Sequence, residues 1–373
     1  MIDDACKGVC HATMVEAVAA CAPSGAMQYH RIVRANGDIG VTPGLIERDE
    51  AATLIESGRT LLLAGDEALL TGLPRGRWIG GTIPYFMTET GGVVSRDRIF
   101  VATLPEPATS PLIRFYDTDA LSGIGANTPE NGFTALIIPA FSEPHTAFAQ
   151  GVFSLEGIFN APLVGWIAGV MTEDVGTCPP KVFNGATGGS SATMALAMHM
   201  PLPAGLSAKV GIVNPFRQGD GPAISFAERS FTASGCMVDG APTNLLHHIQ
   251  THGVDRRLPL VADYFGTPVN VSIQSIDETT GQIHFYAPVF PGIAYRFAAP
   301  LDDYDAAFRK ATAETAGDPV FACNCIRNYQ YTGFPGAPVP PFSGPLTFGE
   351  IAYVLVNQTL VYLTIDGITP APT

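Results

Sequence analysis

The chain is short of charge, and of positive charge above all. Charged residues fill 14% of its 373 positions, with 20 Lys and Arg against 34 Asp and Glu, giving a net charge of −14. No basic cluster offers a footprint for phosphates, which argues against a nucleic-acid partner or an anionic membrane surface. Long hydrophobic runs are missing too. The longest clean run, residues 161–171, is interrupted by Pro162, Gly165 and Gly169 and falls short of the ~18 residues that a membrane span requires. The first ten residues, MIDDACKGVC, are acidic where a secretory leader is basic, so the expected compartment is the cytoplasm. Seven cysteines, an odd number without small-domain spacing, are then thiols or ligands rather than a disulfide frame. Common catalytic signatures are absent as well. There is no Gly-x-Ser-x-Gly elbow, no Gly-Lys-Ser/Thr phosphate loop and no dinucleotide glycine pattern. The Gly-rich run from Gly185 to Ser191 therefore reads as a turn.

What is present is apolar and finely punctuated. Hydrophobic residues make up 46%, with 40 Gly and 31 Pro, a mix that gives ordered, short strands joined by tight turns. The sparse charge leaves an apolar surface, so a homo-oligomer is expected. Apolar segments recur in threes: 61–64, 78–83 and 99–104; then 135–138, 163–169 and 193–198; then 320–323, 344–351 and 360–365. Each set is a strand, a connection, a Gly-containing segment and another strand. Near-continuous apolar runs imply strands covered on both faces, and the glycines imply close backbone approach or a bulge. Between the second and third sets, strands are expected at 223–226, 231–234, 236–238, 269–276, 282–286 and 294–298, with Asp239-Gly240 as a hairpin turn. Helices are expected near 12–22, 47–55, 243–252 and 303–315. The fold class that follows is α/β (α+β): layered mixed β-sheets flanked by helices, in two related halves, 41–205 and 206–373, behind an appendage at 1–40.

Four ordered motifs carry a resemblance. Val238-Asp239-Gly240-Ala241-Pro242 precedes a helix, Phe290-Pro291-Gly292-Ile293-Ala294-Tyr295 enters a strand, Phe321-Ala322-Cys323-Asn324 forms a strand, and Phe348-Gly349-Glu350-Ile351 leads to Asn357-Gln358-Thr359. In order and spacing they resemble the C-terminal half of the FIST family of sensory domains over about residues 210–366, and the first half resembles the family's N-terminal module more loosely. One departure is the run Cys323-Asn324-Cys325-Ile326-Arg327, where the family has one cysteine closely followed by an arginine. The resemblance implies small-ligand sensing with output through signalling modules. No such module is visible here, so a signalling protein in trans is implied. Some family members bind haem as nitric-oxide sensors, which makes haem or a metal ion the alternative cofactor.

Candidate chemistry falls into four groups. Cys6, Cys10 and His11, with Cys21 further along, have donors suited to a soft metal. His248 and His252, four apart on an expected helix, would share one face as a metal pair. Glu143 and His145 follow a second-set strand, while Cys323, Cys325 and Arg327 follow the third-set one and Asp66-Glu67 the first. If the sets share one centre, these ends converge on a ligand pocket between the halves. Glu350 would then be a buried carboxylate with Arg327 as its cation. A cysteine-dependent enzyme, with Cys323 or Cys325 as nucleophile near His145 or His284, is the remaining alternative.

Overall fold

The computed structural model describes residues 43–367 apart from 265, 316 and 332–341, and a small ladder between 32–33 and 39–40. The cysteines and histidine at 6, 10, 11 and 21 and the helix expected near 12–22 lie outside these residues. The architecture is α+β, with strands outweighing helices and several mixed sheets flanked by short helices.

The three apolar sets form three copies of one pattern. Strand Leu61–Gly65 runs parallel to Trp78–Thr82 and antiparallel to Ile99–Thr103. Gly132–Pro139 stands in the same relation to Leu163–Ala168 and Ala195–Pro201. Phe321–Cys325 stands so to Gly344–Thr347 and Leu360–Asp366. The first strand of each set lies in the middle and is wholly buried. Each is followed by a short helix, Glu67–Leu70, Glu143–Gly151 or Ile326–Tyr331, because a parallel neighbour can be reached only by crossing over the sheet.

The glycines explain how the copies close up. A Cβ at Gly165 would run into the Leu136 carbonyl, and one at Gly344 into the Ala322 carbonyl; both lie on the parallel strand, against the middle strand of their set. The copies also pack on one another. Trp166 is fully buried, with its ring 5.3 Å from Phe321 of the third set, and a Cβ on Gly81 of the first set would lie 3.1 Å from its Nε1.

The boundary expected near residue 205 is bridged at two sheet edges. Glu350–Ala352 pairs with Leu163–Ala168, and Gly344–Thr347 pairs with Tyr85–Thr88, so a late strand joins an early sheet and an early strand extends a late one. Asp239 and Gly240 adopt φ of 47° and 81° and close the hairpin between Gly235–Val238 and Ala241–Asn244, as their residue types predict. Three segments differ from expectation. Residues 269–276 are two strands, Thr267–Val271 and Ile273–Asp277, in different sheets. They part at Ser272, whose N–H donates to Asn357 Oδ1 at 2.9 Å while Asn357 Nδ2 donates to Asn270 O at 2.9 Å. A side-chain amide thus takes the place of a strand partner. Residues 344–351 also split, into Gly344–Thr347 and Glu350–Ala352. The helix expected from 243 begins at Leu245, with Asn244 as its cap accepting from His247 N–H.

Candidate functional site

A cavity of about 600 Å³ opens between the second set and the strands that follow it. Its first wall is the turn from Gly132–Pro139 into helix Glu143–Gly151. Ser142 caps that helix: its Oγ accepts from His145 N–H at 3.3 Å and donates to Pro139 O at 2.8 Å. Pro144 suits the first turn, where its missing N–H costs nothing. The reversal forces Phe141 to φ 65°, a conformation that bulky residues rarely hold. Phe141 is 59% exposed and meets Phe348 edge to face, with centroids 6.3 Å apart.

Its second wall is strand Ser230–Ala233, paired with Gln282–Val289 through an irregular register between Ser230 and Thr232. That bulge lets three consecutive residues, Ser230, Phe231 and Thr232, reach one cavity where a regular strand would turn the middle one away. His284 sits opposite Thr232 and also lines the space, with Gln274, Phe285 and Tyr286 beside it. Ile326 and Gln330, from the helix after the third-set middle strand, close the remaining side. Among the described residues, no Asp, Glu, Lys or Arg lines the cavity.

His145 is the singular group here. The Phe141 N–H donates to its Nδ1 at 3.3 Å, so the neutral ring carries its proton on Nε2. That Nε2 is buried without a hydrogen-bond partner among the described residues, and the ring meets Phe231 edge to face. Burial pushes its pKa down to about 4, so at neutral pH the ring is uncharged and presents a single N–H. The same arrangement opposes metal ligation through Nε2, which requires the proton to move to Nδ1, where the Phe141 N–H already points.

The other predicted residues are dispersed. Glu143 is exposed on the first helical turn. Asp66 caps Glu67–Leu70 and pairs with Arg96 at 2.8 Å, and Glu67 pairs with Lys181 at 2.5 Å. None of the three lines the cavity. Cys323 and Cys325 are buried in the core. The Cys323 thiol donates to Gly165 O at 3.3 Å, and burial, with Glu350 nearby, raises both thiols far above their usual range. A thiolate nucleophile is therefore disfavoured, and neither sulfur lines the cavity.

The expected Glu350–Arg327 pair does not form. Glu350 is fully buried between Thr347 and Thr359 hydroxyls at 3.0 and 2.9 Å. Arg327 instead donates through Nη2 to Ile273 O at 3.2 Å, with its guanidinium 5.2 and 4.5 Å from the Tyr286 and Tyr331 ring centres. Arg327 stacks on aromatic faces while its Nε stays buried without a hydrogen-bond partner among the described residues, and burial opposes ionisation of Glu350. Its pKa is raised well above the carboxylate range by burial.

His248 and His252 do share a face, with ring centres 4.4 Å apart. His252 Nδ1 lies 2.9 Å from His248 O at the helix end. No group of three or more His, Cys, Asp or Glu able to hold a metal ion occurs among the described residues. The donor set there does not fit a resident metal. A second hollow of about 650 Å³ has Asp220, Asp255, Asp302, Asp303 and Asp305 in its walls, with His252 at its edge. Its one basic side chain, Arg257, pairs with Asp255 at 2.7 Å.

The cavity is lined by His145, expected at a ligand pocket, and by His284, expected only beside a nucleophilic cysteine, together with Phe141, Phe231, Thr232 and Gln274, which the sequence does not single out. A left-handed phenylalanine and a bulge leave no mark in residue order. The doublet Asp239-Gly240, by contrast, announces its turn.

The chain belongs to a family of unknown function, DUF6976, whose model matches residues 46–366. No curated protein and no solved structure matches it.

Proposed function

We propose that the chain is a small-molecule-binding protein of FIST-like sensory type, with the cavity beside His145 as its ligand site and its output delivered to a signalling protein in trans. The observation that carries the reading is the cavity. About 600 Å³ of space falls within the usual range for small-ligand pockets, and aromatic walls with a few convergent polar groups are their usual chemistry. Among the described residues, the cysteines at 178, 236, 323 and 325 are free thiols, and the cytoplasm is the compartment this reading takes. No helix among the described residues is long and apolar enough to cross a membrane. Self-association belongs to the same reading, on the strength of the low surface charge.

The test is a thermal-shift screen of soluble metabolites against the full chain and a Thr232→Trp variant, whose indole fills the cavity. At least one compound is expected to raise the melting temperature of the wild type by several degrees and leave the variant unmoved. A screen in which every hit stabilises both proteins alike would sink the proposal. So would a screen without hits.

A further inference from the structure

The cavity is unusual for this chain in one respect. A protein with 34 acidic and 20 basic residues carries a half-open space of about 600 Å³ that, among the described residues, no Asp, Glu, Lys or Arg side chain lines. Five aromatic residues, Phe141, Phe231, Phe285, Tyr286 and Phe348, line it instead. A charged ligand entering there would give up part of its hydration with no carboxylate, ammonium or guanidinium in the described walls to offset the loss. The Arg327 guanidinium donates to Ile273 O and lies over the faces of Tyr286 and Tyr331.

Against this neutral background one polar atom stands out. His145 lines the cavity; its Nε2 is buried without a partner among the described residues, the Phe141 N–H on Nδ1 makes it a donor, and a ligand acceptor reaches it when the partly exposed ring turns toward the cavity. A buried donor left unpaired is destabilising, and a ligand acceptor relieves it. Phe141 pays for the arrangement with its backbone at φ 65°, since the same reversal that strains it aims its N–H at the ring. The hydroxyls of Ser230 and Thr232, 3.3 Å apart, and the amides of Gln274 and Gln330 supply further polar contacts without charge.

We infer that the ligand of this cavity is an uncharged, largely aromatic small molecule that carries a hydrogen-bond acceptor, seated with that acceptor on His145 Nε2–H between the Phe141, Phe231 and Phe348 rings. The inference rests on the reading of the cavity as the ligand site, and adds the ligand's chemical class to it. It separates the cavity from sites for amino acids, nucleotides and other ionised metabolites.

Four probes with one ring system test it on the full chain at pH 7.5 by titration calorimetry or ligand-observed NMR. They are 2-acetylnaphthalene, 2-ethylnaphthalene, 2-naphthoate and 2-naphthylmethylammonium. The ketone is expected to bind one to one, about tenfold or more tighter than the anion and the cation. His145→Ala is expected to weaken the ketone about tenfold and leave the hydrocarbon unchanged, while His145→Gln, which retains an N–H donor, restores part of the loss. The charge series needs no variant, so it stands even where His145→Ala folds poorly. An anion or cation that binds as tightly as the ketone overturns the ligand class. So does ketone binding that is indifferent to His145; if Thr232→Trp still abolishes it, the cavity remains the ligand site. Probe binding untouched by Thr232→Trp, or no saturable binding by any probe, removes both readings together.

Discussion

At the scale of single residues, the most informative group is Glu350, because its surroundings set its protonation. Thr347 Oγ1 lies 3.0 Å from Glu350 Oε1, 3.1 Å from Gly349 O and 3.4 Å from Asn324 O. Thr347 Oγ1 donates to Oε1 and Thr359 Oγ1 to Oε2, which favours the carboxylate, but complete burial outweighs both bonds and raises the pKa well above the ordinary carboxylate value. The folded state therefore holds a proton that the unfolded chain releases above its ordinary carboxylate pKa. Stability from this group is complete below that value and is lost as pH rises toward the folded pKa. Glu350→Gln removes the ionisation while keeping the shape. The variant is expected to match the wild type near pH 4 and to exceed it by roughly 1 kcal/mol or more at pH 8. Urea denaturation at the two pH values measures this, and a wild type that gains on the variant as pH rises would refute the protonated carboxyl. In the sequence Glu350 reads as a charge in need of Arg327. Only the fold shows it between two threonine hydroxyls, with the arginine stacked on tyrosines.

At the scale of elements, the three strand sets were legible because their runs are apolar on both faces, a pattern that survives without any knowledge of neighbours. Their glycines were legible as close approaches for the same reason, and the contacts are now specific. Gly165→Ala would drive a methyl into the Leu136 carbonyl, where backbone rather than a flexible side chain must yield. The expected cost is about 3 kcal/mol or more, or failure to accumulate in soluble form. Gly176→Ala, in a turn with open space around its Cβ position and φ 86°, serves as the comparison and should cost about 1 kcal/mol. Equal melting temperatures for the two variants would contradict the packing described here. The breaks at Ser272 and at Phe348-Gly349 were not legible. Each depends on groups far along the chain, as when Asn357 replaces a strand partner for residues 270 and 272.

At the scale of the whole molecule, the two expected halves are interlocked. Strand Glu350–Ala352 supplies an edge to the sheet of the second set, and Tyr85–Thr88 extends the sheet of the third. Trp166 and Phe321 pack across the same junction. Removing residues 206–373 would strip both sheet pairing and buried apolar area from what is left. A fragment of residues 43–205 is expected to lack a cooperative thermal transition and to give poorly dispersed NMR spectra, and to recover on mixing with the complementary fragment. A well-dispersed, cooperatively melting fragment would show the first half to be an independent domain.

Sequence alone determined the fold class, the threefold strand pattern and the Asp239-Gly240 hairpin, and it pointed to the strand end at His145 beside which the cavity lies. All of these rest on local apolar runs, turn chemistry and the tendency of ligand sites to gather at strand ends. Tertiary structure alone decided which side chains meet. It buried Cys323 and Cys325, parted Arg327 from Glu350, and fixed the His145 proton through the Phe141 backbone. The reason is physical: burial, tautomer and hydrogen-bond partner are properties of a neighbourhood assembled from distant segments, and the order of residues carries no measure of that distance.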